Sequence, residues 1–458
     1  MRVKWNECHL LLLSFLVLGP LMHAQHWADS VYVAYYNNQP GHALEMGRKA
    51  ISQHQATADT YYKMGVIHYN LQHFGQAARY LQHAYSEFQQ DPLYREYLYY
   101  AYLWSGFTNQ ARAVLGSNHS TLAQRVKYSP AYFGGVQVEA ATLLPSAQAT
   151  QRRDQTLPDQ VDYFQATYFD QVQMGSMQMY SQPIPQLTIT LTAQQVINKA
   201  FERLAYNNPS IPVPNNIVNQ MFEDALPYNQ AQLGVAYQFR TWTFQATGGW
   251  FASQYMARSL EVIPPNGFPP VFQFNILEEK IRKNQQAATV GIQKRHGRWL
   301  VSTSGTYTNL ADQPSWLSEV GAYWFPTYNN HYFVGSQVGR MQIPGEQRYS
   351  VHGHAGARLT DRWWVEAYGG SGQLQNYIGG QGNMVFNTPQ PIQWYSGIQV
   401  HYNLNHWLFT LGGGLQQREG TEYFSRLIPG SFPVAFTNEQ QQYIYQYYLI
   451  KTKISWTW

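Results

Sequence analysis

The chain has 458 residues, 30 Lys+Arg against 26 Asp+Glu, and a formal net charge of +4. Charged residues make up 12%, aromatics 16%, and the mean hydropathy is −0.42. This excludes a disordered chain, which is charge-rich and aromatic-poor, and a nucleic-acid binder, because so small an excess of charge leaves no basic footprint. No apolar run of about 20 residues follows the N-terminus, so a helical membrane protein is excluded too. An aromatic-rich β protein or a transmembrane β-barrel remains; the latter hides its hydrophobicity on alternate residues.

Residues 1–24 are expected to be a secretory signal. Arg2 and Lys4 supply the basic start, Leu10 to Leu18 the short apolar stretch broken by Ser14, and cleavage is expected after Ala24. Cys8, the only cysteine, precedes the apolar stretch, so no lipidated cysteine follows it and the exported chain has no disulfide.

Residues 25–125 carry a repeat of period 34. Ala43, Ala77 and Ala111 are spaced by that interval, as are Ala50 and Ala84. The middle copy is the fullest, with Tyr61, Met64, Gly65, Tyr69, Phe74, Ala77, Leu81 and Ala84; the first adds Trp27 and the third Leu98, Tyr102 and Gly106. This pattern resembles the tetratricopeptide repeat. The resemblance implies a helical solenoid in which Trp27, Ala43, Ala50, Tyr61, Gly65, Ala77, Ala84 and Ala111 pack helix on helix. It also implies a concave face that docks a protein or peptide.

From residue 130 to 458 the period becomes two. Leu233, Val235, Tyr237 and Phe239 alternate with small and polar residues, turn at Arg240-Thr241, and are answered by Trp242, Phe244, Ala246, Gly248 and Trp250. Short links are expected at Arg295–Arg298, Thr327–His331, Thr360–Arg362 and Asn403–His406, and longer ones near 255–284, 309–314, 343–347, 371–390 and 417–440. Short turns on one side and long loops on the other describe an antiparallel transmembrane barrel. At the C-terminus Tyr448, Ile450, Thr452, Ile454, Trp456 and Trp458 form one face and Lys451, Lys453, Ser455 and Thr457 the other. This segment resembles the terminal strand of bacterial outer-membrane proteins. Eleven strands are expected from Asn229 onward, with Tyr132–Thr142, Tyr163–Phe169 and Ser176–Gln182 before them. The total is fourteen, with twelve as the alternative. Gln194–Tyr206 is expected to be a short helix in a long connection, and Pro209–Pro214 loop.

The expected lumen is rich in Gln, Thr, Ser, Gly and Tyr. His352, His354, Arg358 and Glu366 are expected to face it around one tight turn, joined by Lys451 and Lys453. So few charges suit mutual pairing better than a selective ion ring. No His-Glu-x-x-His, no Gly-x-Ser-x-Gly and no phosphate-binding glycine loop occurs. The chain is therefore not expected to be an enzyme or to hold a metal or cofactor.

The order of signal, repeats and barrel resembles outer-membrane proteins of the YaiO type and exopolysaccharide exporters. The resemblance implies an α+β two-domain protein of the outer membrane with its repeats in the periplasm. It would act in export or transport, with polysaccharide as one cargo. The alternative is a non-transporting anchor that recruits an envelope complex through the repeats. The expected partners are the lipid bilayer and a periplasmic protein or peptide, with no nucleic acid.

Overall fold

The computed structural model describes residues 27–458, apart from 117–119, 129, 156–161, 208–216, 264–272, 311–312, 381–383, 387–389, 428–435 and 458. The expected signal, the Pro209–Pro214 loop and Trp458 lie outside the described residues.

Helices come first. α1 runs through residues 27–36 and is followed by α2 (Pro40–Ser52), α3 (Ala58–Asn70), α4 (Phe74–Phe88), α5 (Pro92–Trp104), α6 (Thr108–Leu115) and α7 (Thr121–Arg125). Their starts are written locally. Thr57 and Thr60 form a reciprocal capping pair at α3, and Asp91 accepts from the Leu93 N–H ahead of Pro92 at α5. Small residues set the spacing between helices. Ala43, Ala50, Ala77, Ala84 and Ala111 are all 0% exposed, and a Cβ added to Gly65 would lie 2.6 Å from Leu81 Cγ. Around them Leu81, Tyr94, Leu98, Leu115 and Leu122 form the core of this region.

Next comes a closed antiparallel barrel of fourteen strands. These are β1 (Ala131–Pro145), β2 (Tyr163–Ile184), β3 (Leu187–Asn207), β4 (Ile217–Phe239), β5 (Trp242–Ile263), β6 (Gln273–His296), β7 (Trp299–Thr308), β8 (Ser315–Trp324), β9 (Tyr332–Ile343), β10 (Glu346–Arg358) and β11 (Trp363–Leu374). After a separate two-stranded hairpin, β12 (Tyr377–Gly379) and β13 (Met384–Phe386), the wall resumes with β14 (Ile392–Leu404), β15 (Trp407–Leu427) and β16 (Phe436–Thr457). β1 closes the ring by pairing with both β2 and β16, so the barrel leaves no free edge around its middle. A short helix, α8 (Ala147–Arg153), follows β1.

Alternation along the strands sorts the two faces. Val290, Val320 and Leu411 point outward at 64, 60 and 62% exposure, and Tyr448, Ile450 and Ile454 are likewise exposed. Their inward neighbours Thr289, Glu319 and Tyr447 are buried. The wall is uneven in height. β2 to β6, β15 and β16 have 21–24 residues, whereas β7 to β11 and β14 have 10–13. Roughly 9–11 residues suffice to cross a bilayer, and the strands on one side of the barrel are about twice that length.

Several expectations are corrected. Gln194–Tyr206 is not a helix but most of β3. Its upper part is buried on both faces from Arg203 to Tyr206, which erases the period of two and leaves an apolar spacing that mimics a helix. Tyr163–Phe169 and Ser176–Gln182 are not separate strands but the two ends of β2, interrupted in register near Asp170. One merger and one missed strand cancel in the total. The stretches 255–284 and 417–440 are mostly strand rather than loop, and the link at 343–347 is only the turn Pro344-Gly345. The stretch 371–390 is not an external loop: it carries β12 and β13 inward.

The helices sit on the short-turn end of the barrel. The Arg295 guanidinium lies 3.2 Å from the Phe107 ring centroid and 4.7 Å from that of Phe325. Asn330 bonds through its backbone N–H to the Ser105 carbonyl (3.2 Å) and through Nδ2 to the Gly106 carbonyl (3.0 Å). Gly106 itself has φ +84°, a conformation that favours glycine.

Candidate functional site: the barrel interior

The inward faces of the strands enclose a polar and aromatic interior, and the β12–β13 hairpin folds into it. Tyr377 holds the hairpin. Its hydroxyl donates to Glu319 Oε1 (2.7 Å), accepts from Ser350 Oγ (2.8 Å) and lies 3.2 Å from His352 Nε2. With its proton committed to Glu319, the Tyr377 oxygen accepts from His352 Nε2–H. His352 Nδ1 is then free to accept from Tyr395 Oη at 2.9 Å. The Gly380 N–H also reaches Glu319 Oε1, at 3.3 Å. Tyr377 packs with Leu317, Met341, Ile343, Leu374 and Ile392, while Ile378 packs with Tyr228, Phe251 and Leu310. A buried carboxylate, a buried imidazole and three hydroxyls thus satisfy one another around a single tyrosine.

Nearer the short-turn end, Glu366 collects three donors, from His354, Gln399 and Trp364, with the His401 ring beside them. His354 Nε2 lies at 3.2 Å, His401 Nε2 at 3.5 Å, Gln399 Nε2 at 2.5 Å and Trp364 Nε1 at 2.8 Å. Lys451 pairs with Glu139 at 3.0 Å, and Lys453 stands opposite Glu139 in the β1–β16 register. Arg358 turns to the barrel end, where it meets His331 (2.8 Å) and Asp361 (2.9 Å). Of the four residues expected around one turn, the fold joins His354 to Glu366, sends His352 to the hairpin and sends Arg358 to the rim.

The opposite mouth is covered by the tall strands. The β4–β5 ladder stops at Tyr228–Ser253, but β5 and β6 continue paired to Ile263–Gln273. Arg258 on this projecting arm bonds Glu202 Oε2 (2.9 Å) and Glu278 Oε1 (2.9 Å), and meets Asp224 through both Nη atoms. Likewise β14 leaves β15 at Arg418, and the freed edge of β15 pairs instead with β2 over Glu422–Ser425. Arg152 of α8 clamps Glu422 with two bonds of 3.0 and 2.7 Å. These clusters were invisible in sequence because their members are dozens to hundreds of residues apart; the only local hint was acidic and basic residues on strands whose other inward positions are neutral.

Two neighbouring cavities lie among the described residues of the interior. One, of about 650 Å³ beneath the arm, is lined by Glu202, Asp224, Lys283, Glu419, Tyr255 and Tyr423 among others. The other, of about 480 Å³, lies deeper, with Val172, Met174, Val196 and Ile392 facing Tyr323, Tyr368, Tyr395 and Arg418. Asn198 and Tyr228 belong to both linings, so the two are neighbours. Among the described residues no group of three His, Cys, Asp or Glu side chains is arranged to hold a metal.

No family model matches the chain, and no curated protein matches it. Among solved structures the chain is similar to a FadL homologue of Pseudomonas aeruginosa, at 6% identity and TM-score 0.42, over 77% of this chain and 93% of that one. It is also similar to the Pseudomonas putida toluene transporter TodX, at 7% identity and TM-score 0.41, over 70% of this chain and 89% of that one. Scores below 0.5 at such identities establish neither a common family nor a common substrate; the strand pairing of the chain itself defines the barrel.

Proposed function

We propose that this is an outer-membrane β-barrel protein that passes a small solute through a lumen occluded by its own hairpin. One observation carries the proposal. The barrel is closed, apolar outside and hollow inside, yet a separate chain segment crosses its interior through a compact set of bonds at Tyr377. An outer face of Val, Leu and Ile at about half exposure or more suits lipid, where a closed sheet satisfies every backbone group internally. A barrel serving only as an anchor has no need of neighbouring cavities beside a retained plug.

The bundle α1–α7 then lies on the periplasmic side, and we read it as tetratricopeptide-like, supported by the buried alanines at intervals of 34 residues. Its contact with the barrel leaves a groove of about 530 Å³ between α4–α6 and the β4–β5 turn, which favours a docking role as a second reading. A polysaccharide cargo is not carried forward: among the described residues, an interior divided by β12 and β13 leaves cavities of about 650 and 480 Å³, the size of a small molecule rather than a polymer.

The test is uptake of small solutes into liposomes holding the full chain, beside a variant in which residues 377–386 are replaced by a short Gly-Ser link. Uptake above that of empty vesicles, faster without the hairpin, is expected. Vesicles as tight as empty ones with both proteins defeat the transport reading and leave the docking reading, for which capture of a periplasmic protein on residues 27–125 of the full chain is the measurement.

A further inference from the structure

Arg203, Arg258, Arg295 and Arg418 are buried among the described residues, and of these Arg418 is the one with a buried guanidinium nitrogen that has no hydrogen-bond partner. Arg258 has three carboxylates. Arg418 is 2% exposed, forms no ion pair among the described residues, and bonds only to Gln416 Oε1, through Nε (3.1 Å) and Nη2 (3.0 Å). Its guanidinium lies 5.0 Å from the Tyr447 ring centroid, and its Nη1 has no hydrogen-bond partner. A guanidinium keeps its proton at any working pH, and burying it without an anion is costly. Arg418 lines the 480 Å³ cavity, whose wall mixes aliphatic side chains and tyrosines with Gln and Asn side chains, His352, His354 and the mutually paired Lys451 and Glu139. Gln230, 5% exposed, lines the same cavity with an amide oxygen that has no partner. A side-chain amide rotated about its last bond offers an N–H at that position instead.

We propose that this cavity binds a compact organic monoanion, a carboxylate or sulfonate on an apolar body, with the head group at the Arg418 guanidinium and the body between Val196 and the tyrosine wall. The inference rests on the transport reading and adds the class of solute. The cation supplies what is missing, a counter-charge in a low-dielectric site, where a charge-assisted bond is about twice as strong as a neutral one. The apolar wall supplies what a free inorganic anion does not use. The two requirements together select an amphiphile over either a neutral hydrocarbon or a small ion.

The experiment measures binding to the full chain in a non-ionic detergent by calorimetry, with three probes: 2-naphthoate, the neutral 2-naphthylmethanol, and acetate. The expected result is naphthoate binding at least tenfold tighter than naphthylmethanol, with acetate not detected. Arg418→Met should remove that preference and leave the alcohol unchanged, Arg418→Lys should restore part of it, and Val196→Trp should abolish binding of both aromatic probes. Equal affinity of the intact protein for naphthoate and naphthylmethanol overturns the proposal, and so does binding of neither; both outcomes are read on the unmutated protein and survive a variant that fails to fold. Acetate binding as tight as naphthoate overturns the amphiphile and leaves a simple anion site. Because binding is measured without vesicles, a chain that binds naphthoate but does not admit it to liposomes sinks the transport reading alone. One that admits neutral solutes without the anion preference sinks this inference alone.

Discussion

Tyr377 concentrates most of what holds the hairpin into one hydroxyl. Replacing it with Phe leaves the ring packing near Leu317 and Leu374 intact but removes the donor to Glu319 and the acceptor for Ser350 and His352. Glu319 is 1% exposed and retains Ser304 Oγ at 3.1 Å and the Gly380 N–H. A hydrogen bond to a charged group is worth about 1.5–3 kcal/mol, and leaving the charged partner underbonded adds to the loss. Tyr377→Phe is therefore expected to lower the urea midpoint of the barrel and to raise liposome uptake. Unchanged uptake at a lowered midpoint would show that the hydroxyl stabilises the wall without retaining the plug.

Two elements have predictable weak points. The first is α3. His68 is buried, stacked on Tyr80 at 5.2 Å between ring centroids, with no partner on Nδ1. Burial, assisted by the charge of nearby His73, pushes its pKa down to about 4 from the ordinary 6.5. The unfolded imidazole takes up a proton below 6.5 that the folded one refuses until about 4. The stabilisation is thus full above 6.5 and is lost as pH falls through that window. The protection factors of α3 and α4, which allow for the slower intrinsic exchange at lower pH, should fall between pH 7 and pH 5, and His68→Phe should flatten the change. An unmodified chain whose exchange tracks the intrinsic rate throughout would refute this.

The second weak point is the β5–β6 arm, which has left β4 and depends on Arg258 for its seat. Removing one partner of a buried ion cluster costs about 3–5 kcal/mol. Arg258→Met should accordingly speed protease cleavage within residues 254–282 at least tenfold while the rest of the barrel stays resistant. Cleavage at the rate of the parent chain would show that strand pairing alone seats the arm.

At the level of the whole molecule, bundle and barrel share a packed contact, in which Phe325 joins the bundle's core with Leu300, Tyr323 and Phe333 against it. The Arg295 guanidinium between Phe107 and Phe325 is the centre of that contact, flanked by Asn330 on the Ser105 and Gly106 carbonyls. A cation on a desolvated ring is worth about 2 kcal/mol. A Phe107→Ala, Arg295→Ala double change should free the bundle, so that limited proteolysis releases it from a barrel still folded in detergent. A bundle that stays bound and protected would place the main contact elsewhere, at Arg79 with Tyr328 or Arg240 with Tyr85.

The barrel could be read along the chain because the outer and inner faces of a closed sheet impose opposite demands on successive side chains, and a period of two records both. Leu233 to Phe239 and Tyr448 to Trp456 carry that record plainly. The alanines at intervals of 34 carry the helical one, since only a small residue fits where two helices touch. The record fails where a strand is covered on both faces. From Arg203 to Tyr206 both faces of β3 are covered, so neither alternates. The hairpin that enters the lumen and the arm that crosses the mouth have no pattern of their own. Their places are set by partners such as Glu319, Ser350, Glu202 and Asp224, brought near by closure of the sheet. The uncompensated charge of Arg418 is of the same kind: one arginine among thirty basic residues in the sequence, and a buried cation beside a cavity only once fourteen strands have closed around it.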